Sequence, residues 1–133
     1  MISSLVSRVS AAVLLLGGAG LLFASDVLLP ALVPGFPRSA AWLGQLLGAA
    51  WLGVAALNWV GRGTLLGGIY GRAIVLANAV LYFVGALSLL RALAGGQAPA
   101  AWWLVFAPMA ALAAVYWALL MRGPFDPLGP PAG

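Results

Sequence analysis

The chain has 133 residues, enough for one domain, and 65% of them are hydrophobic while only 6% are charged. A soluble domain carries about a quarter charged residues, so this composition excludes a water-covered globule and leaves an integral membrane protein. Six Arg against two Asp give a net charge of +4, but the Arg stand singly between apolar runs, which excludes a clustered nucleic-acid footprint.

Cys and His are both absent. Disulfides, thiol redox chemistry, Cys/His metal sites and His-ligated haem are thereby removed from consideration. No Ser/His/Asp set can be assembled, and no pair of carboxylates lies at a useful spacing, so the chain is expected not to be an enzyme.

Four apolar runs follow one another, predicted as spans at about 9–29, 40–60, 73–90 and 98–121. Each is close to the ~20 residues that cross a hydrocarbon core. Each is apolar around its whole circumference, unlike an amphipathic surface helix, and none alternates as a barrel strand does. The predicted fold class is all-α, a four-transmembrane-helix antiparallel bundle in residues 1–122, with a Pro/Gly-rich tail at 123–133.

The first run follows Arg8 and carries Gly17, Gly18 and Gly20. Its rival reading is a cleaved signal peptide ending near Ala24-Ser25. Leu22 and Phe23 occupy the places where a peptidase prefers small residues, so an uncleaved span is expected. The 26–39 segment is made irregular by Pro30, Pro34 and Pro37. At this rim Asp26 is expected to pair with Arg38 or Arg91 as a structural ion pair.

The second run contains Gly44-x-x-x-Gly48, a pattern that lets helix backbones approach closely. It also carries Gln45 and ends in Asn58-Trp59. Trp42 and Trp59 are separated by about 25 Å of helix and read as an aromatic belt at the two membrane surfaces. The Gly-rich connection 61–72 places Gly63 and Gly68 at phosphate-loop spacing, but Ile69-Tyr70 stand where Lys and Ser/Thr are needed. It reads as a turn whose Arg62 and Arg72 face anionic headgroups.

The third run holds Asn78, about 9 Å of helix beyond Arg72, with Tyr82 one turn further on the same face. Asn58, Asn78 and Tyr82 are the candidate polar cluster, either an interhelical clamp or the lining of a small pocket. A hydrogen bond between membrane helices contributes ~0.6–2 kcal/mol, enough to fix register without a ligand, so the clamp is the expected role. The fourth run carries Trp102, Trp103, Tyr116 and Trp117, read as belt residues. Its small-residue stripe Ala110, Ala114 and Ala118 is the candidate interface for a partner helix, although internal packing would use the same residues.

Four spans put both termini on one side, with Arg8, Arg62, Arg72 and Arg122; Arg38 and Arg91 fall on the other. The positive-inside rule then places both termini in the cytoplasm, and the expected location is a bacterial inner membrane.

The stretch Leu43-Gly-Gln-Leu-Leu-Gly-Ala-Ala-Trp-Leu-Gly53, followed by Asn58-Trp59, Arg62 and Arg72-Ala-Ile-Val-Leu76, resembles small bacterial four-span membrane proteins of the DoxX-like type. The likeness covers most of the chain. It implies a four-helix bundle and association with quinone-dependent or oxidative-stress complexes, and it assigns no catalytic residue.

The expected function is therefore a non-catalytic accessory or scaffold subunit of a larger bacterial membrane complex, of respiratory or photosynthetic type. Its expected partners are membrane lipids and other membrane subunits, with no nucleic acid. The alternatives are a protein that binds a quinone, lipid or other small molecule, with Trp51 beside the polar cluster, and an oligomeric transporter or channel.

Overall fold

The computed structural model describes residues 2–125, which form four long helices: α1 Ile2–Leu32, α2 Ala41–Val60, α3 Arg72–Ala94 and α4 Trp103–Arg122. Short 3-10 turns at Arg38–Ala40, Gly61–Gly63 and Ala100–Trp102 join them, and the described residues contain no strand. All four helices are long and apolar enough to cross a membrane. Their outer surfaces match that composition: Phe23, Val60 and Leu104 are each about four-fifths exposed (82%, 79% and 81%). Apolar surface on this scale is rare on soluble monomers. Most of the predicted tail, 126–133 with Asp126, lies outside the described residues.

α1 begins at Ile2 and not near residue 9, because its first serines face inward. Ser3, Ser7, Ser10, Leu14, Gly18 and Ser25 are all buried along it, a stripe at helical spacing. Near its far end the backbone leaves helical geometry at Ala24 (φ −134°, ψ 24°). Pro30, inside the same helix, also lacks the N–H that would reach the carbonyl of Asp26.

α1 packs along α2, and α3 along α4. The first contact is backbone against backbone. A Cβ added to Gly48 would stand 2.7 Å from the carbonyl oxygen of Gly18, and one added to Gly18 would stand 2.9 Å from that of Gly48. Opposite Gly44 the neighbours are side chains: a Cβ there would stand 2.6 Å from Leu29 Cδ1 and 3.0 Å from Ser25 Cβ. The Gly44-x-x-x-Gly48 pattern therefore serves packing inside the chain. The α3/α4 contact uses rings, with Phe83 stacked on Trp117 (5.3 Å) and Tyr82 stacked on Tyr116 (5.8 Å).

The two helix pairs meet through side chains, in a core of Leu14, Ala55, Ile74, Val75, Ala79, Tyr82, Ala113, Tyr116 and Leu119. Leu66, from the Gly-rich connection, is fully buried in the same core. That connection folds over the end of α4: Gly67 adopts a positive φ of 86°, and a Cβ there would stand 2.7 Å from the nitrogen of Pro124. At the opposite end the indole N–H of Trp102 donates to the carbonyl of Leu32 (3.0 Å), joining the end of α1 to the start of α4.

The expected rim ion pair is not formed. Asp26, Arg38 and Arg91 are all exposed, and no ion pair joins Asp26 to either Arg. Exposed partners gain little from pairing and lose side-chain freedom by it, which accounts for their separation.

Candidate functional site: a buried polar crossing of four helices

Asn58 and Asn78 are completely buried, one on α2 and one on α3. Each amide donates to the oxygen of the other, and both bonds measure 2.8 Å. The Asn78 amide nitrogen also donates to the carbonyl of Ile74, one turn earlier (2.8 Å). That last bond fixes the orientation of both amides: the Ile74 carbonyl can only accept, so the Asn78 atom facing it must be the amide nitrogen.

Tyr116 on α4 completes the crossing. Its hydroxyl donates to Ser10 Oγ on α1 (2.9 Å) and stands 3.4 Å from the amide oxygen of Asn58. A phenol has one proton, so the shorter bond to Ser10 is the principal one. Ser10, Asn58, Asn78 and Tyr116 thus form one buried cluster with a member from every helix.

Of the predicted trio, Asn58 and Asn78 are paired directly, while Tyr82 stands beside them. Its ring stacks on Tyr116, and its hydroxyl is buried without a hydrogen-bond partner. The Ser10 hydroxyl is bonded to Tyr116 and not to Tyr82. The Ser7 hydroxyl, one turn from Ser10 on the same buried stripe, is likewise unpartnered.

Two members of the cluster were missed by sequence reasoning. Tyr116 is not a belt residue: it is fully buried, six residues inside Arg122, just as Asn78 is six residues inside Arg72. Equal spacing from the two Arg was the available signal for equal depth. For Ser10, the signal was the recurrence of Ser3, Ser7 and Ser10 on one helical face. Of the other aromatics named as belt residues, Trp42, Trp59, Trp103 and Trp117 are exposed, while Trp102 is half-buried.

Beyond Tyr82 lies a largely apolar cavity of about 360 Å³, lined by residues of all four helices, among them Trp51, Tyr82 and Met109, and by Trp102 of the turn before α4. Its size is at the lower end for small-molecule sites. On the outside of α3 and α4 runs a shallower apolar groove of about 280 Å³, where Ala110 and Ala114 are flanked by Leu87, Leu90, Phe106 and Trp117. Ala114 is exposed and Ala110 half-buried, while Ala118, also half-buried, lies outside the groove.

Comparison of the chain with protein-family models, with curated proteins and with solved structures finds no match. The functional reading therefore rests on the sequence and the geometry of the fold.

Proposed function

We propose that this chain is a non-catalytic, four-span integral protein of a bacterial inner membrane, folded as an antiparallel bundle, that serves as an accessory or scaffold subunit of a larger membrane complex. The DoxX-like resemblance, which implies quinone-dependent or oxidative-stress complexes, supports a subunit role, and a respiratory or photosynthetic complex is the type proposed. The observation that carries the reading is the α3/α4 groove. Gly44 and Gly48 are buried against α1, whereas Ala110 and Ala114 open outward between Leu87, Leu90 and Trp117. Small outward residues between larger apolar ones let a partner helix approach closely. The amides of Asn58 and Asn78 are already engaged with each other, which supports a structural role for them.

The orientation follows from the Arg asymmetry, with Arg8, Arg62, Arg72 and Arg122 on the cytoplasmic side. Reporter fusions after Gly133 and at Gln97 should report inside and outside respectively, and a periplasmic signal at Gly133 would reverse this assignment.

Gentle solubilisation is expected to recover the chain with larger membrane subunits. Ala114→Phe should weaken that association several-fold while leaving thermal stability in detergent unchanged, because residue 114 is exposed. Quantitative recovery of the chain alone would refute the subunit reading. A lipophilic molecule retained on that solitary chain, and lost in Tyr82→Phe, would favour the second reading. In that reading the 360 Å³ cavity is a binding site and the unpartnered Tyr82 hydroxyl recognises the polar group of the ligand.

A further inference from the structure

A third apolar depression, of about 360 Å³, lies on the opposite pair of helices, between α1 and α2. Along α1 it is lined at residues 8, 11, 12 and 15, and along α2 at residues 59, 56, 55 and 52. The lining therefore extends over about 10 Å of helix. Its floor is Ala11, Ala12, Ala55 and Ala56, whose small side chains leave the channel open. Its chemistry is graded. At one end stand Arg8 and Trp59, and at the other only leucines.

Arg8 is exposed and makes no hydrogen bond or ion pair with another described residue. The neighbouring Arg62 differs: it donates to the carbonyl of Trp59 (2.6 Å) and lies over the Trp59 ring at 4.4 Å. Arg8 and Trp59 thus line the same end of the groove, with the Arg62 guanidinium over that tryptophan. Of the two acidic residues, Asp26 belongs to the far end of α1, and Asp126 lies outside the described residues.

We propose that this groove is a binding site for one anionic phospholipid, with an acyl chain over the alanine floor and the phosphate at Arg8. Charge complementarity selects the occupant. A partner helix would have to bury the Arg8 charge, whereas a lipid phosphate neutralises it and leaves it at the headgroup level. Trp59 sits where an indole ring favours the headgroup boundary, and Arg62 adds positive potential beside it. The site is independent of the α3/α4 groove and holds whether or not a protein partner docks there.

The test is native mass spectrometry of the full chain, with phosphatidylglycerol and phosphatidylcholine of matched acyl chains and with inorganic phosphate as competitor. Wild-type protein is expected to retain one phosphatidylglycerol in preference to phosphatidylcholine, and inorganic phosphate should not displace it. Arg8→Gln should lower phosphatidylglycerol retention about fivefold, the scale of one Arg at an anionic surface, with Arg8→Lys retaining most of it. Ala56→Leu, filling the exposed floor, should lower retention of both lipids. Arg72→Gln, at the same end of the molecule but outside the groove, should bind as wild type. Should Arg8→Gln fail to fold, Arg8→Lys and Ala56→Leu decide the question. Equal retention by wild type and Ala56→Leu, an equal loss in Arg72→Gln, or displacement by free phosphate would each overturn the proposal.

Discussion

Asn58→Leu is expected to lower thermal stability in detergent by about 1–3 kcal/mol, the cost of leaving a buried polar partner unsatisfied. Asn78 would lose both bonds of the reciprocal pair and keep only its bond to Ile74. Tyr116 would lose its longer contact at 3.4 Å and retain Ser10. The Asn58→Leu/Asn78→Leu double variant should be less destabilised than the sum of the singles, with a coupling of ~0.6–2 kcal/mol. Strictly additive effects would mean that the two amides do not depend on each other. Because the pair joins α2 to α3, one helix from each closely packed pair, its loss should appear as easier separation of the two pairs.

Gly48→Val should be at least as severe, and its damage should fall on the other contact. The new Cβ would stand 2.7 Å from the Gly18 carbonyl oxygen and 2.9 Å from the Leu22 nitrogen. Neither is the end of a flexible side chain, so α1 and α2 must separate. Overpacking of this kind costs about 1–3 kcal/mol. Gly53→Val is the control on the same helix, since nothing lies within 4 Å of a Cβ built there. Thermal unfolding of the two variants should differ sharply; similar losses would mean that helix propensity, and not close approach, sets the cost.

The four helices were legible because composition alone dictates them: long apolar runs broken by single Arg leave few alternatives. Their ends were less legible. Ser3 and Ser7 are polar and so read as lying outside the first span, yet they are buried, because a serine facing neighbouring helices escapes the lipid. Asn58 and Asn78 were legible as the rare amides in an apolar context, and antiparallel neighbours would bring them to one depth. Which third group joined them was not legible from the face alone. Tyr82 shares the face of Asn78, but its ring lies against Tyr116, and Tyr116 holds the bond to Ser10. The rim ion pair illustrates the opposite error: opposite charges near one membrane surface were read as partners, although Asp26, Arg38 and Arg91 are all exposed. The two apolar cavities and the Arg8 groove depend on how helices splay, which hydropathy does not encode.

A subunit role requires the α3/α4 groove to face a protein partner. Its most direct test is a photo-crosslinking amino acid placed at residue 114, in the groove, and at residue 16 on α1 as a lipid-facing control, since Leu16 is 75% exposed. In native membranes, residue 114 is expected to crosslink to one discrete larger membrane protein, and residue 16 to none. No protein adduct at residue 114, with the probe shown to react with lipid there, would mean that the groove faces lipid and that the subunit role is wrong.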